Sequence, residues 1–264
     1  MTKIKDSVVF LTGASSGIGE ALAYEFSKKG AKLVISARRS AELDRVKATC
    51  TYPDNVQTLT IDLADNFSVI QKAKEAETFF GPIDILVNCG GISNRDKVAD
   101  TSMDVDRKLM EVNYFSAIAL TKTLLPSMLK RKKGHQVVIT SASGIISPPK
   151  RSSYAASKHA LHGFYEALRA EYHDEGQKVT LVLPGYIRTN ISYNALKGDG
   201  STQNKMDANQ DNGMSPEDCA AQTIKAIEQN KEEVYIGGFK EVTGIYLKRF
   251  FPSLFSKIVR KAET

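Results

Sequence analysis

Tyr154 and Lys158 stand four residues apart in the stretch YAASKHA. In a helix, residues at i and i+4 share a face, so the Lys158 ammonium can lie beside the Tyr154 phenol. A free phenol holds its proton up to about pH 10. A positive charge about 4 Å away, at an effective dielectric of about 20, is worth roughly 4 kcal/mol to the ionised form. Solvent and any intervening group reduce that figure, yet a fraction of it suits the phenol to proton transfer near neutrality. Such pairs also arise by chance, so the meaning of this one rests on its surroundings. Ser141 lies thirteen residues before Tyr154, and the small-residue loop between them can bring a hydroxyl back beside the phenol. Asn113, in MEVNYF, sits in the middle of a helical stretch, where asparagine is a mediocre helix former. That points to a functional or kink-related use.

A second constellation lies at the start of the chain. TGASSGIG runs from Thr12 to Gly19. Gly13, Gly17 and Gly19 let the backbone turn sharply and let a phosphate approach with no Cβ in the way. The helix that follows offers free N–H groups to a pyrophosphate. No lysine follows the last glycine, which excludes a nucleoside-triphosphate P-loop. The alternative is a turn that only packs a helix on a strand. The next strand ends in SARRS, with Ala37, Arg38 and Arg39 where NAD-preferring folds carry an acidic residue. An arginine can pair with a 2′-phosphate. The expectation is therefore NADP(H) in preference to NAD(H), with Arg38 as the contact, against two surface arginines at a helix start. Asp62, in TIDLAD, is placed to receive an adenine amino group or serves as a simple turn aspartate.

The elements that must position these residues are legible as alternating patterns. Apolar, β-branched runs at 7–12, 32–37, 56–61, 83–88, 136–141, 179–184 and 233–237 read as strands, and most are continuously apolar, as in parallel strands covered on both faces. Helical stretches at about 17–30, 39–49, 66–80, 103–131, 152–175 and 216–230 separate them. This alternation predicts an α/β fold, a Rossmann-type doubly wound sheet of about seven parallel strands with helices on both faces. Apolar residues make up 42% of the 264, enough for one sizeable core. With no internal linker or short-period repeat, residues 1–264 read as a single domain. One stretch breaks the pattern: residues of about 190–216 are polar and glycine-bearing. A loop that long, after a strand's carboxyl end, reads as a substrate lid or an inert insertion.

TGASSGIG, NCGG (residues 88–91), Asn113, Ser141, YAASK and PGYIRT together resemble the short-chain dehydrogenase/reductase family, over nearly the whole chain. Further stretches, among them TSMDVDRKLMEVNYF and PGYIRTNISYNAL, are similar to one branch of it. The resemblance implies that Tyr154 is the general acid in carbonyl reduction and the base in the reverse direction. It implies that Lys158 favours the ionised phenol and holds the nicotinamide ribose, that Ser141 bonds the carbonyl oxygen, and that Asn113 anchors a water linking Lys158 to solvent. It places Thr189 on the nicotinamide amide, Pro184, Gly185 and Ile187 beside the ring, and Asn88 and Gly90 along the cofactor. Ser15, Ser16 and Ile18 in the glycine loop and Leu63 beside Asp62 complete the implied contacts. NCGG departs from the family's usual NNAG at Cys89 and Gly90, which touches local rigidity more than catalysis. The implied activity interconverts a ketone or aldehyde with an alcohol. The alternative is a cofactor-binding regulator that keeps the fold with little turnover.

The remaining features bound partners and location. Three scattered cysteines, Cys50, Cys89 and Cys219, form no disulfide framework, and no apolar run reaches the length of a membrane span. Both favour a cytoplasmic location. The formal net charge is +6, and the run Lys130-Arg131-Lys132-Lys133 reads as a solvated helix end. No nucleic-acid motif accompanies it. Of the four histidines, His159 and His162 are three apart, with His173 further along. No cysteine or acidic pair at recognisable spacing completes a metal set with them. Residues 245–264 interleave Phe250, Phe251, Leu254 and Ile258 with Lys248, Arg249, Lys257, Arg260 and Lys261. Such a basic amphipathic segment can rest peripherally on an anionic bilayer, pack on its own domain, cap an apolar substrate cleft or meet another subunit. A hydrophobic or lipid-like carbonyl substrate would suit an apolar tail near the cleft. Sterol, retinoid, long-chain ketone and small carbonyl all stay open. The family resemblance implies a homodimer or homotetramer through the helices 103–131 and 152–175.

Overall fold

The computed structural model describes residues 1–262; Glu263 and Thr264, at the end of the basic C-terminal segment, lie outside the described residues. The apolar runs become seven strands: β1 Val8–Thr12, β2 Lys32–Ala37, β3 Val56–Thr60, β4 Ile85–Asn88, β5 Gly134–Ile139, β6 Gln177–Pro184 and β7 Glu233–Ile236. They form one parallel sheet in the order β3-β2-β1-β4-β5-β6-β7. Successive side chains of a strand point to opposite faces, and both faces are covered here. Val9, Leu11, Leu33 and Ile35 pack on one side against α1 (Gly17–Lys28) and α8 (Pro216–Glu228). Phe10, Val34 and Leu86 pack on the other against α3 (Asn66–Phe80) and α5 (Ser116–Lys130). That double coverage is why the strands read as unbroken apolar runs. The sheet thus has the Rossmann-type architecture that the alternation predicts.

The strand order reverses between β1 and β4, which opens a crevice at their carboxyl ends. The segments bordering it are α2 (Ser40–Thr49), α4 (Met103–Met110), α6 (Ser152–Glu171) and α7 (Ala208–Asp211). Local signals fix several helix starts. Asp65 caps α3 by accepting from Ser68 N–H at 3.1 Å, and Ser215 caps α8 from Asp218 N–H at 3.1 Å, with Pro216 next in line. The helix expected over 103–131 is interrupted at Glu111–Phe115 by one π-helical turn, the kind of insertion that often marks a functional site. Asn113 lies in it.

Residues 190–216 are a folded excursion. Leu196 bridges Asn94 on one side and Thr202 on the other, and Ile187 bridges Met214. Among the described residues, the C-terminal segment forms α9 (Phe239–Phe250) and α10 (Pro252–Val259), with Pro252 as the first residue of the second. Ile245 is buried, and the Lys248 ammonium bonds the Ile145 carbonyl. Phe250, Phe251, Leu254 and Ile258 remain exposed. Among the described residues, no helix is long and apolar enough to cross a membrane.

Candidate active site

Tyr154 and Lys158 lie together at the crevice. Both are buried, and the Lys158 ammonium stands 5.8 Å from the centroid of the Tyr154 ring, within cation–π range. The ammonium also donates to the Ile139 carbonyl at 2.9 Å, at the end of β5. Helix α6 starts at Arg151 with no cap from its own side chains. Asn94 stands in for one: its Oδ1 accepts from Tyr154 N–H at 3.1 Å. Tyr154 is thus placed from the loop after β4, a contact that motif spacing alone does not reveal.

Ser141 follows β5 and caps the short 3₁₀ turn Ala142–Gly144, accepting from Ser143 N–H at 3.0 Å. Accepting leaves its single O–H free to donate toward the crevice. Asn113 turns inward from the π turn. Its Oδ1 accepts from Ile92 N–H at 2.8 Å, while its Nδ2 donates to the Ile92 carbonyl and to Ser157 Oγ, each at 2.9 Å. It clamps the backbone beside Gly91, where an added Cβ would sit 3.1 Å from the Asn113 Oδ1 and 3.7 Å from the Lys158 ammonium.

Across the crevice the glycine loop forms a cradle. Gly13 has φ +72°, and a Cβ there would meet Gly90 Cα at 2.6 Å. A Cβ on Gly17, at φ +58°, would meet the Thr189 methyl at 2.9 Å. Thr12 Oγ1 accepts from the N–H groups of Cys89 and Gly90, both at 3.1 Å, which fixes the NCGG backbone despite its departure from the family pattern. Asn88 donates to the Tyr165 hydroxyl at 3.0 Å, and its Oδ1 is buried without a partner. Leu63 reaches Gly90. Asp62 accepts from Ala64 N–H at 3.0 Å, closing the turn after β3.

A dinucleotide fits this cradle. Helix α1 begins at Ser16 with no side-chain cap, so its first N–H groups face an open cleft of about 350 Å³ lined by Ser15, Ser16, Gly17, Arg39, Arg188 and Thr189. Arg39 reaches this cleft and donates to Ser15 Oγ at 3.4 Å, whereas the sequence singled out Arg38. Arg39 directly precedes α2 in extended backbone, and its side chain reaches back to the glycine loop. The cleft's charge is partly balanced: Arg45 holds Glu20 with two bonds, at 2.7 and 2.9 Å. At the far wall Pro184 ends β6, and Gly185 N–H bonds the Ile236 carbonyl at 2.8 Å, with Glu241 of α9 packed over it. Ile187 is buried beneath the loop.

The excursion 190–216 covers the phenol. Ile191 and Leu196 pack with Ile92, Val105, Leu109 and Tyr154. Its anchors were not visible as motifs. Asp207, just before α7, pairs with two buried arginines, Arg95 at 2.7 Å and Arg151 at 3.4 Å. Gln210 of α7 donates to Thr189 Oγ1 at 3.3 Å and to the Ile187 carbonyl. These residues are scattered over four segments of sequence, so only the fold brings them together.

Comparison with known proteins agrees with this geometry. The family model described as short chain dehydrogenase matches residues 7–199. The dehydrogenase/reductase SDR family protein 7-like of Anopheles gambiae is 44% identical, covering 98% of this chain and 83% of that protein. The mouse dehydrogenase/reductase SDR family member 7B is 42% identical, covering 97% of this chain and 81% of that protein. Among solved structures, a short-chain dehydrogenase from Streptomyces avermitilis superposes with a TM-score of 0.83 at 28% identity, over 98% of both chains. A short-chain dehydrogenase/reductase from Burkholderia phymatum, solved in complex with NAD, superposes with a TM-score of 0.82 at 22% identity, over 96% of both chains. The chain belongs to the short-chain dehydrogenase/reductase family, in the branch of the family member 7 proteins, and is an oxidoreductase acting on CH–OH and C=O groups.

Proposed function

We propose that this protein is an NADP(H)-dependent reductase of a hydrophobic or lipid-like ketone or aldehyde, working reversibly with the corresponding alcohol. The observation that carries the reading is the buried Tyr154–Lys158 pair facing the glycine cradle across one crevice. The bound nicotinamide cofactor supplies or accepts the hydride. Tyr154 gives its phenolic proton to the developing alkoxide in reduction and takes it back in oxidation. Lys158 sets its charge beside that phenol and offers its remaining donors to the ribose. Ser141, with its O–H free, donates to the substrate oxygen. Asn113 holds the Ile92–Gly91 backbone that borders the ammonium and serves the water that links Lys158 to solvent.

The preference for NADP(H) rests on Arg39 beside Ser15 in the cleft, with Arg38 next to it. Gly13, Ser15, Ser16, Gly17, Ile18 and Gly19 cradle the pyrophosphate. Asp62 and Leu63 flank the adenine, and Asn88, Gly90, Pro184, Gly185, Ile187 and Thr189 line the nicotinamide half. An apolar substrate is supported by the side chains that surround Tyr154, namely Ile92, Val105, Leu109, Ile191 and Leu196. Residues 190–216 act as its lid within a single domain. The three unpaired cysteines favour a reducing, cytoplasmic setting. The exposed aromatic and basic residues of α9 and α10 suit peripheral contact with an anionic membrane, and assembly as a homodimer or homotetramer uses the α5 and α6 helices.

The test is NADPH consumption by the purified protein over ketones graded from short to long chain, with Tyr154→Phe as control. Turnover should rise with chain length and vanish in the variant. Tight NADPH binding with no turnover on any carbonyl would remove the catalytic reading. Liposome flotation with and without residues 245–264 checks the membrane contact.

A further inference from the structure

His162 lies one helical turn beyond Lys158 on α6 and is only 6% exposed. Its Nε2 is 3.2 Å from Thr140 Oγ1. The Thr140 hydroxyl donates its one proton to the Val182 carbonyl at 2.9 Å. Toward the imidazole that hydroxyl therefore accepts, which places the ring proton on Nε2 and leaves a bare lone pair on Nδ1. Nδ1 is buried and has no hydrogen-bond partner. It faces Glu166 Oε1 at 3.6 Å. Glu233, at the start of β7, completes the group: one ligand atom from each of the three residues lies within 4.8 Å of the others.

Three electron-pair donors thus converge: the bare Nδ1 lone pair of His162 and a carboxylate oxygen from each of Glu166 and Glu233. A cation is what the arrangement lacks. We propose that His162 Nδ1, Glu166 and Glu233 bind a divalent cation of the zinc type. One imidazole nitrogen and two carboxylates form a ligand set zinc accepts. The outer contacts match those of metal-ligating side chains: the histidine's other N–H goes to Thr140, and the Tyr235 hydroxyl donates to Glu233. Glu166 is 49% exposed at its side chain, so water can complete the coordination. The ion would tie α6, the helix bearing Tyr154 and Lys158, to β7. Histidine spacing could not reveal it, because Glu233 comes from a distant segment.

The experiment is zinc titration of the chelator-treated full-length protein, followed by calorimetry and by thermal denaturation, for the wild type, Glu166→Gln and His162→Gln. The wild type should bind one ion per chain with a saturable rise in Tm. Glu166→Gln, at an exposed position, should weaken binding about tenfold or more while leaving NADPH affinity and the zinc-free Tm unchanged. His162→Gln should abolish binding. Absence of wild-type binding up to about 0.1 mM zinc would overturn the proposal. So would equal affinity and stoichiometry in both variants, since the ion would then sit at another histidine.

Discussion

The two edges of the sheet treat their ionisable groups in opposite ways. At the amino edge, Asp84 accepts from Arg131 at 2.7 Å and from Val8 N–H at 3.2 Å, and pairs with Lys133 at 3.0 Å. His135 bonds Thr2 through Nδ1 at 3.0 Å and Thr180 through Nε2 at 2.8 Å. At the carboxyl edge, His162 has one nitrogen bonded and one bare, and Arg95 and Arg151 share the single Asp207. Helices α1 and α6 begin there without caps from their own side chains. The first edge holds the fold largely with groups that answer one another, Arg131 Nε and Gln177 Oε1 being buried there without a partner. The second leaves His162 Nδ1, Asn88 Oδ1 and Arg151 Nε buried without a partner, and an unanswered group costs stability unless a ligand meets it. The basic run 130–133 illustrates the contrast: Arg131 and Lys133 are committed to Asp84, which is a structural use.

If that division is right, substitutions at the carboxyl edge should remove function and those at the amino edge should remove stability. The largest effect is expected for Lys158→Met, which should lower turnover about 10²–10⁴-fold, measured under saturating NADPH, while circular dichroism stays native. Gly13→Ala comes next. Its Cβ would press on Gly90 at a positive φ, so NADPH affinity should fall about tenfold or more and stability by roughly 1–3 kcal/mol, read by fluorescence titration and urea unfolding. Arg39→Ala should cut the preference for NADPH over NADH by about tenfold, close to 1.4 kcal/mol, with NADH kinetics little changed. Loss of NADH turnover to the same degree would assign Arg39 to structure.

The amino edge sharpens the comparison from the other side. Asp84→Asn should cost about 1–3 kcal/mol of stability and leave turnover per folded molecule intact. Burial raises the Asp84 carboxyl, and the bonds from Lys133, Arg131 and Val8 more than reverse this, holding it below its ordinary range. Its contribution is therefore present above that range and lost as pH falls through the folded value. At neutral pH the smallest effect concerns His135, which burial pushes down to about 3 and which therefore matters only on acidification. The folded state keeps it neutral, so stability is complete above about pH 6.5 and falls by up to about 1.4 kcal/mol per pH unit below it. Urea unfolding between the two values should show a shallower pH slope in His135→Gln.

Much of this was legible from residue types alone. The strand–helix alternation, the doubly wound sheet and the positions of the glycine loop, Asn113, Ser141, Tyr154 and Lys158 follow from periodicity and short spacing, because local sequence sets helix faces, strand pleats and turns. The π turn at 111–115 shows the limit of such reading: asparagine in a helix signalled an irregularity, while its kind depended on the Ile92 backbone that Asn113 clamps. The sequence by itself also pointed to Arg38 in place of Arg39, and it offered the C-terminal segment several roles at once. Tertiary structure decided that Arg39 enters the cleft, that Asn94 caps α6, that Asp207 draws Arg95 and Arg151 together beneath residues 190–216, and that Glu233 stands beside His162. Each of these joins residues from distant segments. Spacing along the chain encodes neighbours within an element, whereas neighbours between elements exist only after the sheet has been ordered and its faces covered.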